Sequence, residues 1–196
     1  MTLNCNETLI LPRRNFLGRA ANLTLSASAI GLLAGQSTLA NAQSGDAGKD
    51  IAILNVALGL EHEAIGAYQL GAESGLLQKG VLDTAVLFQS HHKGHRDALV
   101  ATIEKLGGKP VATRSQDEYA KALNAASLKS QGDVVELARK LELGAVNAYL
   151  GVIPAFKDSA LAKVAGRLAA DETMHWALLS NAIGKAAPTS ALTFGA

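Results

Sequence analysis

The stretch LEHEAIGAY, Leu60 to Tyr68, returns as LELGAVNAY, Leu141 to Tyr149, with Leu, Glu, Ala, Ala and Tyr kept in place at an offset of 81. A second pair follows at an offset of 80, where HKGHRDAL, His92 to Leu99, aligns with ETMHWALL, Glu172 to Leu179. Two short matches whose offsets agree within one residue indicate that a whole structural unit is repeated, not an isolated motif. The rhythm around them says what the unit is. Leu54, Leu58, Glu61, Ile65 and Tyr68 recur at alternating spacings of four and three, the seam of a helix facing a bundle core. Ala85, Phe88, His92, His95, Leu99, Thr102 and Leu106 repeat that rhythm, as do Val135, Ala138, Glu142, Ala145, Tyr149 and Val152. Leu161, Ala165, Leu168, Glu172, His175, Leu179 and Ala182 form the fourth seam.

Four helices are therefore expected, over about 46–73, 79–106, 132–153 and 159–183. The joints 74–78 and 154–158 are short, so each pair should close as an antiparallel hairpin. Gly107-Gly108 with Pro110 beyond stops the second helix. The polar connector from there to about Gln131, with a short helix expected in 116–126, is long enough to run the height of the bundle. The fold class is all-α: a four-helix bundle of two hairpins joined by a long crossover. Composition agrees, since the 196-residue chain is 48% apolar and only 4% aromatic, suited to one helical domain with a real core. Net charge is +1 with no basic block, so the phosphate-neutralising surface of a nucleic-acid binder is absent from the sequence.

Residues 1–42 read separately. Arg13 and Arg14 precede Asn15-Phe16-Leu17, an apolar run follows from about Leu23 to Leu33, and Ala40-Asn41-Ala42 suits a signal peptidase. This resembles a twin-arginine export signal, with 43–196 as the mature domain. The resemblance implies a periplasmic or secreted protein exported in its folded state. The apolar run is broken by Ser26, Ser28 and Gly31 and is short of the ~20 residues a spanning helix needs, so no membrane anchor is expected after cleavage. The sole cysteine, Cys5, lies in the signal, which leaves the mature domain without disulfide, thiolate ligand or thiol nucleophile.

The seams carry the chemistry. Positions i and i+3 share a helix face, so Glu172-Thr173-Met174-His175 directs a carboxylate and an imidazole to one point. Glu61, His92, His95, Glu142, Glu172 and His175 should meet at similar heights in an otherwise apolar core. Unpaired buried carboxylates are very unfavourable, and a pair of divalent ions would satisfy the set. Off the seam, His62 and Glu63 are expected on a solvated face, and His91 in an outer shell or at the surface. Tyr68 and Tyr149 read as core residues, with a hydrogen bond to a ligand as the middle reading. Trp176 reads as core or interface packing, and Met174 lies off the ligand face.

This pattern resembles that of ferritin-like di-metal carboxylate proteins, in which two helices give one Glu each and two give Glu-x-x-His. Rubrerythrin is the nearest functional comparison, because Tyr68 and Tyr149 each fall seven residues after their Glu. The export signal and lone bundle look more like the secreted ferritin-like proteins of bacteria. The resemblance spans about 51–183 and implies a di-metal centre, with iron first and Mn, Zn or Cu as alternatives, that oxidises Fe(II) or reduces peroxide or O₂. No Cys pair exists for a rubredoxin-type module, so reducing equivalents would come from another protein. The short stretch after the fourth helix does not suggest a storage cage, and a homodimer is the expected assembly. One residue departs from the family pattern: His92 stands where the family has a bridging Glu. Three Glu against two divalent ions leave a +1 core, and the added nitrogen shifts preference toward Zn or Cu relative to Mn. The alternative to an oxidoreductase is a non-enzymatic metal-binding or stress-protective bundle whose site is degenerate.

Overall fold

The computed structural model describes residues 46–195; the expected signal segment lies outside the described residues. Five α-helices follow in order: α1 (Asp46–Glu73), α2 (Lys79–Lys105), α3 (Gln116–Ala122), α4 (Gln131–Val152) and α5 (Ser159–Ala182). The four long ones form the bundle. α1 pairs with α2 and α4 with α5 as hairpins, and α1 also packs on α4. No strand occurs among the described residues, and no described helix is long and apolar enough to cross a membrane.

The ends of these helices follow from local chemistry. Ser130 and Asp158 cap α4 and α5 by accepting from the backbone N–H of Asp133 and Ala160. At the end of α2 the N–H of Gly108 reaches the carbonyl of Ile103 and that of Gly107 the carbonyl of Glu104, with Gly107 at φ 77°. That is a Schellman stop, which needs the left-handed residue glycine supplies. The end of α5 is built alike through Gly184, at φ 69°. Its Trp176 packs edge-on to Phe194 of the tail, with ring centroids 5.1 Å apart.

The connector between hairpins is not a free strap. Asn55 of α1 donates to the carbonyl of Lys109 (3.1 Å) and accepts from the N–H of Val111 (2.7 Å). Gln116 donates to the carbonyl of Gly66 (2.9 Å), and the buried ring of Tyr119 lies against Gly66, where a Cβ would come within 2.6 Å. The expected short helix ends at Ala122, four residues early, because Asn124 takes a left-handed φ of 50°. At the opposite end the buried Asp50 carboxylate accepts from the N–H groups of Lys157 and Asp158.

The core divides into two apolar clusters with a polar layer between their residues in sequence. Leu54, Leu58, Leu99, Ile103, Tyr149, Leu161 and Leu168 form one. Tyr68, Ala85, Phe88, Val135 and Leu179 form the other. Each fully buried large apolar side chain stabilises by roughly 1.5–3 kcal/mol, so these layers hold the helices in register for whatever lies at the centre.

Candidate metal centre

The structure brings all six sequence-predicted side chains together. Glu61 (α1), Glu142 (α4), Glu172 and His175 (α5) and His92 (α2) are 2% exposed or less, and the His95 side chain is 11% exposed. They sort into two overlapping groups, Glu61/His92/His95/Glu172 and His92/Glu142/Glu172/His175, each with one ligand atom per residue lying within 4.8 Å of the others. Two residues are common to both. Glu172 turns Oε1 toward His95 Nδ1 (3.2 Å) and Oε2 toward His175 Nδ1 (3.0 Å). His92 turns Nδ1 toward Glu61 Oε2 (2.8 Å) and Nε2 toward Glu142 Oε1 (3.2 Å). His92 thus straddles the groups as Glu172 does. A neutral imidazole offers a single lone pair, however, so it can serve one side at a time.

The outer shell repeats the internal symmetry. Tyr149 of α4 donates to Glu61, and Tyr68 of α1 donates to Glu142 Oε1 at 2.5 Å, each tyrosine reaching the other repeat's glutamate. His95 and His175 each present Nδ1 inward and Nε2 outward. His95 Nε2 meets Asp171 Oδ2 at 3.2 Å, and His175 Nε2 meets His91 Nδ1 at 2.9 Å. Phe88 stacks on His175 at 4.1 Å and fixes its ring plane.

Electrostatics set the resting balance. Burial pushes Glu61 and Glu142 up, but the hydrogen bonds and charges of the facing histidines outweigh it and hold both below the ordinary carboxylate value. For Glu172 burial prevails and its value is raised. Burial lowers the histidines, yet the carboxylates reverse it: His92 and His175 are raised, and His95 rises to about 10. His91 is lowered by burial and by the His175 charge. Burial followed by the nearby glutamates raises Tyr68 and Tyr149 well above the usual phenol value, so both stay protonated donors.

Unsatisfied atoms test whether the residues suit a metal. His95 Nδ1, Glu142 Oε2 and Glu172 Oε1 are buried with no hydrogen-bond partner. His95 Nδ1 and Glu172 Oε1 are only 3.2 Å apart but not aligned to bond. Buried polar atoms are almost always paired; Trp176 Nε1 and Ser180 Oγ are unpaired elsewhere on α5, but the three orphans within one set of carboxylates and imidazoles suit a cation. The donor set fits a divalent metal.

Residues expected off the seam divide. His91 is half-buried in the outer shell, as read from sequence. His62 is also half-buried, its Nε2 3.2 Å from the Val111 carbonyl rather than in water. Glu63 corrects the reading: it is 7% exposed and lines a crevice between α1 and α4 beside Glu61, Glu142 and Glu172. The physical reason is that α1 is covered by α2, α4 and α3 together, so its buried arc is wider than one seam. Asp171, outside every seam, also backs the cluster, and its alignment with His91 is the sequence signal that marks it.

The sequence model of the ferritin-like domain family matches residues 49–185. The chain belongs to the ferritin-like domain family. A crystal structure of a conserved hypothetical protein from Mycobacterium tuberculosis shares the fold, with a TM-score of 0.61 and 18% identity over 76% of this chain and 99% of that one. No curated protein matches the chain. This ferritin-like domain therefore carries, in its bundle core, a buried His/Glu cluster able to bind metal.

Proposed function

We propose that this ferritin-like protein is exported and holds a di-metal centre, iron first, that oxidises Fe(II) or reduces peroxide or O₂. The observation that carries the reading is the pair of overlapping four-residue ligand groups joined through His92 and Glu172. When bound, the metal pair supplies the electron-transfer chemistry. The chain does the rest. Glu61 and His95 would hold one ion and Glu142 and His175 the other, and Glu172, whose Oε1 faces His95 and Oε2 faces His175, would serve both. Tyr149 satisfies Glu61 Oε1 and leaves Oε2 facing His92 and His95, whereas Tyr68 bonds Glu142 Oε1, the oxygen that also faces His92 and His175; each phenol fixes the rotamer of its glutamate. The apolar layers exclude bulk water, and a small crevice between α1 and α4, lined by Leu60, Glu63 and Leu141, adjoins the cluster. Electrons for peroxide reduction would come from a separate donor protein.

A second reading, a non-enzymatic metal-binding or stress-protective bundle, is favoured by one feature. His92 lies between Glu61 and Glu142 and offsets part of their charge with no metal. Elemental analysis of the purified protein, followed by anaerobic Fe(II) titration and addition of peroxide or O₂, separates the two. Two irons per chain with rapid turnover supports the enzyme; bound metal without turnover supports the binding protein. Absence of stoichiometric metal, with stability unchanged in Glu142→Ala and His175→Ala, defeats both.

A further inference from the structure

The two halves of the cluster differ most where the repeat differs. In the alignment of HHKGHRDAL (His91 to Leu99) with DETMHWALL (Asp171 to Leu179), His95 matches His175 and His91 matches Asp171. The structure crosses these over. Asp171 sits behind His95, and His91 behind His175, each on the outward Nε2. A ligand histidine whose second nitrogen donates to a carboxylate is a stronger base, and its ring is held in the metal-binding tautomer; an imidazole acceptor gives the orientation with less polarisation.

We infer that the two metal positions are unequal and fill in order, Glu61/His95 before Glu142/His175, because Asp171 backs His95 with a carboxylate while His91 backs His175 with an imidazole. This rests on the reading of the cluster as a metal-pair site. Asp171 and His91 are positioning residues, since neither reaches the inner atoms. The Asp171 side chain is 53% exposed, which puts its effect at the low end of the range for such partners. Loss of the carboxylate should weaken the first step by about 10-fold, where fully buried partners reach about 100-fold.

The test is a Zn(II) titration of the whole protein, followed by ¹⁵N NMR of histidine ring nitrogens and by calorimetry. The His95 ring signals should move with the first equivalent and those of His175 with the second. Asp171→Asn should weaken the first step about 10-fold without shifting the melting temperature of the metal-free protein, which separates ligand tuning from a structural role. His91→Asp should tighten the second step and narrow the gap. Simultaneous movement of both rings, His175 moving first, or an unchanged first step in Asp171→Asn overturns the order while leaving the metal site standing. Failure of Zn(II) to bind overturns the site and the order together.

Discussion

His92→Glu restores the carboxylate that the internal repeat places on α5, and the metal-free protein should be destabilised by it. His92 is 1% exposed, with Nδ1 2.8 Å from Glu61 and Nε2 3.2 Å from Glu142. Those carboxylates hold it protonated by raising its value well above the ordinary one. The substitution removes this cation and sets a third acid between two others. Breaking one side of a buried ion pair costs about 3–5 kcal/mol. Against a total stability of about 5–15 kcal/mol, that is a large fraction. For a domain of this size each kcal/mol moves the melting temperature by about 2–4 °C, so a fall of roughly 6–20 °C is expected. The assay is differential scanning calorimetry of chelator-treated protein at pH 8 and pH 5, then with added Mn(II) or Fe(II). The fall should shrink at pH 5, where the introduced carboxyl takes up a proton. Metal at about 1,000 times its Kd returns about 4 kcal/mol, so the variant should recover most of the loss. If the metal-free variant melts with the wild type at pH 8, His92 is not the internal cation and the charge argument fails.

Metal-free stability should peak between about pH 4.5 and 6.5. His95, raised from 6.5 to about 10, contributes fully below its unfolded value and loses that contribution as pH rises through about 10; Glu142, held below 4.5, loses its contribution as pH falls. Thermal melts across pH check both limbs, and a flat profile would contradict the ion-pair network. Zn(II) binding at pH 7 should release protons from the raised histidines, with affinity rising up to about tenfold per pH unit for each proton displaced; calorimetry in buffers of different ionisation heats measures it. Tyr149→Phe strips Glu61 of a buried donor and should cost about 1–3 kcal/mol by urea unfolding, with Tyr68→Phe behaving alike at Glu142. Gly66→Ala drives a Cβ to within 2.6 Å of the Tyr119 ring and should cost about 1–3 kcal/mol, with proteolysis appearing first in the crossover.

The helices were legible from sequence because each seam repeats at helical spacing and several ends carry a start or stop signal: Ser130 and Asp158 before α4 and α5, Gly107 and Gly184 after α2 and α5, and Pro154 after α4. Positions at the centre of a seam, such as Leu58, Phe88, Glu142 and Glu172, are buried as the rhythm requires. The rhythm fails where a helix has more than one neighbour. Glu63 points away from the Glu61 seam yet is buried, because the crossover and α4 enclose α1 from other sides, and no local pattern announces a long connector docking through Asn55 and Gly66. The ligand set was visible as residue types in register. Its pairing was not: that each tyrosine serves the opposite repeat's glutamate follows from how the hairpins face each other, which depends on packing rather than spacing.

Among the aligned positions that line or back the cluster, the two halves differ at two adjacent ones, and both differences have the same chemical sense. His91 and His92 on α2 stand where α5 has Asp171 and Glu172, so α2 carries imidazoles in place of two carboxylates. The inner exchange supplies a cation of the chain's own, and the outer one weakens the support behind His175. Protons and metal ions then compete for one cluster, because each ion that binds must displace protons from raised histidines. A site with Glu at position 92 lacks that imidazolium, has a weaker proton competitor near neutral pH and folds best when loaded. This one is partly balanced when empty, which costs affinity but favours release. The dissociation rate of Zn(II) into excess chelator should therefore be faster in the wild type than in His92→Glu, and the reverse order would mean that the imidazole at position 92 binds metal better than it replaces it.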